Sequence, residues 1–393
     1  MKKVILTTLA LLLIVAVALS FSLPTLLRIK AYSAPMALPE IEQRDNTNAA
    51  NEIQIALILD TSGSMDGLID QAKSQLWGII NELSKAYKDS ARANVRIALY
   101  EYGNDNISVQ KDYVRQVLPF TTDLDDISEK LFALSTNGGS EYCAEAIHSS
   151  LNELTWSQES GMKVIYIAGN EPFNQGSFSH KEACEMASQN NVTVYPIFCG
   201  NKQEGLNTHW NDCAVITKGQ YMNIDSDIKV VEMATPYDDS LDVLNYQLNN
   251  TYIYYGLQGR SLKEKQVKQD LNQETYSKAN KVSRTMSKSS KMYSNEKWDL
   301  VDAYKKDKSV VNKVNKSTLP DSLKSLNDEE LNDYVVSKNK EREKIKNEIN
   351  RLGVNRTTYI SKNKESSKDL TLGDRMVKTI KTEAKNKGYE FEK

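Results

Sequence analysis

The run Ile55-Ala56-Leu57-Ile58-Leu59-Asp60-Thr61-Ser62-Gly63-Ser64 decides how the rest of the chain is read. Five apolar residues without alternation fit a strand covered on both faces. They end in a carboxylate, and two hydroxyls follow at alternate positions of a glycine-containing turn. Beyond Gly67, the residues Leu68, Ala72, Leu76, Ile79, Leu83 and Tyr87 recur at helical spacing, so the strand hands over to an amphipathic helix. Asp60, Ser62 and Ser64 therefore stand at the carboxyl end of a buried strand, where ligands of open α/β sheets collect. Oxygen donors that converge from a tight turn suit a hard cation such as Mg²⁺, or Mn²⁺ or Ca²⁺.

The same alternation continues downstream. Residues 94–100 and 113–120 read as strands, the second an edge strand because its alternation is weak, and a short helix covers 123–134. Asn137-Gly138-Gly139-Ser140-Glu141 is a turn feeding a helix with Ala144, Ile147, Leu151 and Leu154. Residues 164–168 form another buried strand, ending in Gly169-Asn170-Glu171-Pro172. A helix with Ala183, Met186 and Ala187, a strand over 192–198, a short helix over 210–216 and a strand over 220–224 follow. Strands alternating with helices imply an α/β fold: a doubly wound, mainly parallel sheet with right-handed crossovers.

The Asp60-x-Ser62-x-Ser64 arrangement resembles the metal-ion-dependent adhesion site of von Willebrand factor type A domains, and the resemblance covers roughly residues 52–227. It implies that three loops hold one cation. Ser62 and Ser64 would coordinate directly, and Asp60 directly or through water. Ser140, after the glycine pair, stands where the family carries a threonine. The third loop's usual aspartate is missing, and Glu171 or the Asn170 amide is nearest. The implied metal set is Asp60, Ser62, Ser64, Ser140 and Glu171. Hydroxyls leave the ion electrophilic and one position open, so an Asp or Glu carboxylate from a protein partner can complete the shell. The implied function is non-catalytic adhesion or protein–protein interaction.

Two alternatives fit the same residues. Asp60 could merely cap the helix in a vestigial site, leaving a scaffolding protein that binds through its helical tail. A metal-dependent hydrolase could use the same turn, although a nucleophilic Asp60 would want a second carboxylate where Ser62 stands. Neither a G-x-S-x-G elbow nor a P-loop occurs.

Composition bounds the rest. With Lys+Arg 50 against Asp+Glu 52, the net charge of −2 argues against a nucleic-acid partner. Residues 1–34 carry Lys2 and Lys3 before an apolar run, which reads as a signal peptide or an N-terminal membrane anchor; either places the remainder outside the cytoplasm, in the periplasm or at the cell surface. Residues 35–51 read as a linker and 52–235 as the α/β domain. The cysteines Cys143, Cys184, Cys199 and Cys213 are even in number and suit disulfides in an exported chain, with three pairings open. His148, His180 and His209 are the only histidines, and the Cys199, His209, Cys213 spacing lacks the paired cysteines of a zinc motif.

Residues 236–393 form a Lys-rich helical region. Leu241, Leu244, Leu248, Tyr252 and Tyr255 begin a helix, and 263–293 reads as a solvated helix or a mobile stretch. Residues 298–303 supply an apolar anchor. Asn327 and Glu330 form a capping box for a helix whose seam, Leu331 to Leu352, includes Lys338 and Arg342. Leu372, Met376, Ile380 and Ala384 make a last helix, with Gly388 as its stop. This layout is similar to the helical tails of exported bacterial proteins of the same class.

Overall fold

Strand β1 (Glu52–Asp60) is buried along its whole length, as its unbroken apolar run requires. In this computed structural model, residues 51–158, 161–227, 233–363 and 371–392 are described. The expectations for residues 1–50 lie outside them. Among the described residues, no helix is long and apolar enough to cross a membrane.

After β1 come α1 (Asp66–Leu83), a hairpin of β2 (Ala86–Lys88) and β3 (Ala91–Arg92), then β4 (Asn94–Tyr102) and β5 (Val114–Thr121). Next are α2 (Leu124–Phe132), α3 (Cys143–Glu153), β6 (Met162–Gly169), α4 (His180–Gln189) and β7 (Thr193–Cys199). Two short helices, α5 (Lys202–Asn207) and α6 (Trp210–Thr217), lead to β8 (Met222–Ile224). The sheet order is β5-β4-β1-β6-β7-β8. Every pair is parallel except β4 with β5, so the antiparallel strand is the edge strand. The order reverses at β1, which opens a crevice at the carboxyl ends of β1 and β6.

Alternate side chains of β1 enter opposite cores. Ile53, Ile55, Leu57 and Leu59 pack with α1 and α2, while Ala56 and Ile58 pack with α3, α4 and α6. Tyr87, expected on α1, lies instead on β2, where the hairpin ends the helical pattern.

The tail comprises α7 (Asp238–Asn249), α8 (Gly259–Glu274), α9 (Lys278–Ser289), α10 (Leu300–Lys306), α11 (Val310–Lys313), α12 (Asp328–Asn363), α13 (Leu372–Asn386) and β9 (Glu390–Phe391). Helix α12 has 36 residues, about 54 Å at 1.5 Å per residue. The expected capping box starts it: Asn327 Oδ1 accepts from Glu330 N and Glu330 Oε2 from Asn327 N, both at 2.9 Å. Helix α7 stops at Asn249, before Tyr252 and Tyr255, because the chain turns to pair with the 298–300 segment; Leu300 N donates to Ile253 O at 2.8 Å. Strand β9 pairs with β2, and the Tyr389 hydroxyl donates to the carbonyl of Glu52 at 3.0 Å. The tail therefore returns to the start of β1.

The stretch 263–293 is helical as expected but is not solvated all round. It forms α8 and α9, and both bury polar faces. Asp270 accepts from Arg284 Nε at 2.5 Å and from Lys288 Nζ at 2.9 Å. Arg284 also pairs with Asp125 of α2 at 2.8 Å, and the Tyr293 hydroxyl donates to the same carboxylate at 2.6 Å. The neighbouring Lys288 and Arg284 hold the Asp270 carboxyl far below its usual range against the opposing effect of burial. The seam position Arg342 is likewise fully buried. It bonds Asp299 at 2.5 Å and Asp302 at 2.9 Å and lies over the Tyr252 ring, 4.0 Å from its centroid.

Helix α1 is buried on several sides, beyond the single stripe its apolar residues trace. Asn280 Nδ2 donates to Ser74 O at 2.7 Å, and Asn81 Nδ2 to Ser283 O at 3.0 Å. On another side, Gln71 Oε1 accepts from Leu372 N at 3.1 Å.

Removing one partner from a buried ion cluster strands the others. Asp270→Ala should destabilise the protein by about 3–5 kcal/mol, read from the urea midpoint. Arg260→Ala, which breaks an exposed pair with Glu264, should leave that midpoint unchanged.

Candidate metal centre

Asp60 continues the β1 alternation to the carboxyl end of the strand and is fully buried. Its Oδ1 accepts from Ser62 N at 2.8 Å. Its Oδ2 is buried and has no hydrogen-bond partner among the described residues. Burial pushes the Asp60 carboxyl up to about 7; the Ser62 hydrogen bonds oppose this, and the charges of Glu141 and Glu171 add to it.

The turn that follows is pinned from both sides. Thr61 N donates to Tyr102 O at 2.9 Å, and Met65 N to Ser62 O at 3.1 Å. This leaves the hydroxyls of Ser62 and Ser64 3.5 Å apart beside Asp60. Ser62 is buried and Ser64 exposed.

The second loop is carried on the first. Asn137 N donates to Thr61 O at 3.0 Å, and Asp105 N to Gly138 O at 2.6 Å. Asn104 Nδ2 ties Thr61 O to Ser135 O at 3.1 and 2.9 Å. A Cβ at Gly139 would strike the carbonyl of Gly103, so only glycine allows this approach. Ser140 follows, half-buried. The next residue, Glu141, was not among the expected site residues. Burial raises its carboxyl, the charges of Glu171 and Asp105 raise it further, and a hydrogen bond from Ser62 lowers it. Its place just before α3 gave it the look of an ordinary acidic residue at a helix start.

In the third loop, Asn170 is the residue that meets the turn: its Nδ2 donates to Ser64 Oγ at 3.1 Å. Its Oδ1 is buried without a partner among the described residues. Glu171 accepts from Gln175 Nε2 at 3.2 Å and acts on Asp60 and Glu141 through its charge. No side chain has room at position 169, at the end of β6. A Cβ on Gly169 would collide with the Tyr102 hydroxyl and lie 2.9 Å from Asp60 Oδ2. Tyr102 floors the site by donating to Ala168 O at 3.1 Å.

Asp60, Ser62, Ser64, Asn170 and Glu141 are thus linked by hydrogen bonds or charge, with Glu171 at the rim and Ser140 on the loop between. The donors are all oxygens, two of them are buried orphans, and the charges that shift Asp60 are both acidic. A hard divalent cation fits that set.

Residues 54–226 match the von Willebrand factor type A domain family. This part of the chain is a von Willebrand factor type A domain. The A domain occupies less than half of the chain, and the helical tail follows it. No curated protein matches the sequence. Among solved structures, the chain is similar to proximal thread matrix protein 1 from the mussel byssus, with a zinc-occupied MIDAS motif (15% identity, 44% of this chain and 42% of that one, TM-score 0.35). It is similar to a von Willebrand factor type A protein from Catenulispora acidiphila (16% identity, 44% and 39%, TM-score 0.34). It is also similar to the pilus adhesin SpaC from Lactobacillus rhamnosus GG in an open conformation (12% identity, 45% and 28%, TM-score 0.35). The chain spans less than half the length of each of these three.

The folded, metal-free protein keeps a proton on Asp60 up to about pH 7, whereas the ordinary value is 3.8. A carboxyl raised on folding contributes stability at low pH that is lost as pH climbs through its folded value. In chelator, Asp60→Asn should therefore unfold at a higher temperature than the wild type. The gap should widen from pH 4 to about 7 and level off above. Parallel melting curves for the two proteins across that range would contradict this assignment.

Proposed function

We propose that the protein is a non-catalytic interaction module whose A domain binds a divalent cation, Mg²⁺ foremost, and through it a carboxylate of a protein partner. The observation that carries this reading is Asp60 Oδ2, an acidic oxygen at the carboxyl end of the central strand that is buried and unpartnered among the described residues. Asp60, Ser62, Ser64 and Ser140 would hold the ion, with Asn170, Glu141 or Glu171 completing the protein's share. The bound ion supplies a positive centre with an open position.

The acidic rim gives the module a gate. Without the ion, Glu141 and Glu171, joined by Asp60 above about pH 7, repel an incoming Asp or Glu. With it, the same carboxylate gains an electrostatic partner in a partly desolvated cleft. We place this module outside the cytoplasm, secreted or held by its N-terminal segment. A disulfide between Cys184 and Cys213 supports an oxidising compartment. Cys143 and Cys199 are buried free thiols whose ionisation burial pushes up, and as such they are inert.

Calorimetric titration with Mg²⁺ or Mn²⁺ should give one saturable site in the wild type and none in Asp60→Ala. Capture of a partner from native membranes should need the cation and fail in chelator. Binding that survives Asp60→Ala would overturn the ion's placement. Capture unchanged by chelator would assign the interaction to the tail instead. Turnover of a phosphoester panel, lost in Asp60→Ala, would favour a hydrolase.

A further inference from the structure

A second constellation lies at the amino ends of α4 and α6. His180 is the first residue of α4, His209 immediately precedes α6, and Asp212 sits in the first turn of α6. His180 Nε2 is 2.9 Å and His209 Nδ1 3.2 Å from the same oxygen, Asp212 Oδ2. One ligand atom from each of the three lies within 4.8 Å of the others. Two of the chain's three histidines thus converge on one carboxylate, although 29 residues of sequence separate them.

We propose that His180, His209 and Asp212 form a separate Zn²⁺ site. Bonds of 2.0–2.1 Å in a tetrahedral shell place ligand atoms about 3.3 Å apart, close to the two separations seen here. An ion at the centre would replace the protons that now bridge imidazole and carboxylate. Imidazole nitrogen also selects borderline metals such as zinc over Mg²⁺ or Ca²⁺, which sets this site apart from the all-oxygen cradle at Asp60.

The frame around the three side chains is stiff. The Cys184–Cys213 bridge ties α4 to α6. The Phe173 ring packs edge-on against both His180 and Trp210. His209 has a left-handed backbone (φ 69°), and Asp212 N donates to its carbonyl at 3.1 Å. His180 is largely covered while the His209 side chain is 46% exposed, so solvent reaches the fourth position and a water can occupy it. The site also connects to the third loop of the A domain. Trp210 Nε1 donates to the carbonyl of Glu171 at 2.8 Å, and Phe173 N to that of Thr208 at 2.9 Å. Zinc at this position braces the loop that carries Asn170 and Glu171.

The test uses the full chain with its disulfide intact, in excess Mg²⁺ so that the oxygen cradle is occupied or masked. Titration with Zn²⁺ should show one equivalent bound. His209→Asn, chosen because asparagine tolerates the left-handed backbone, should weaken it at least tenfold. His180→Gln should do the same, while Asp60→Ala leaves it unchanged. Circular dichroism checks that each variant is folded. Co²⁺ added to the unmodified chain should give the intense visible bands of a four-coordinate ion with nitrogen ligands, displaced by Zn²⁺; this readout needs no variant. No zinc uptake in excess Mg²⁺, uptake that survives both histidine variants, or uptake lost only in Asp60→Ala would overturn the proposal. Any of these would leave a metal-free histidine–aspartate contact between two helices.

Discussion

An acidic side chain buried without a counter-charge is the constraint on which this structure turns. Elsewhere the same chain handles buried carboxylates with its own cations: Asp270 meets Arg284 and Lys288, and Asp299 meets Arg342. Among the described residues, Asp60 has no such partner. The charges that act on it come from Glu141 and Glu171, and one of its oxygens is unpartnered. Burying a charge is tolerated when it is paired, neutralised by a proton or bound to a metal. A proton serves below about pH 7; above it, the proposed cation would supply the missing counter-charge.

The tail bears on that site through α1. The first loop joins β1 to α1, so the turn is only as rigid as the helix behind it. Helices α9 and α13 meet α1 through polar contacts at Ser74, Asn81 and Gln71, and apolar residues of α7, α12 and α13 share its core cluster. Strand β9 closes the circuit on β2. Much of the side of α1 that an isolated A domain would expose to water is thereby covered, and a shift of α1 would have to break buried hydrogen bonds.

The sheet was legible because its strands are continuous apolar runs with distinct ends, and Asp60, Ser62 and Ser64 were legible because they are adjacent in sequence. The tail was harder to read. Gln266, Gln269, Asp270, Arg284 and Lys288 are buried yet polar; a search for apolar periodicity sees only solvent-facing residues in 263–293. Arg342 seemed to spoil a hydrophobic seam, whereas Asp299 and Asp302, forty residues away, make it the centre of a polar core. Glu141 was hidden by its position at a helix start. The position of Tyr102, which excludes a side chain at residue 169, depends on β4 and β6 flanking β1. His180 meeting Asp212 is likewise a product of how α4 and α6 pack together, which no local motif encodes.

The most direct measurement is a crystal of the protein soaked in Mn²⁺ and recorded at a wavelength where manganese scatters anomalously. An anomalous peak is expected between Asp60, Ser62, Ser64 and the 138–141 loop, within coordination distance of Asp60 Oδ2 or of a water bound to it. A well-ordered cradle holding only water, with the Asp60 carboxyl turned to a protein donor, would contradict it.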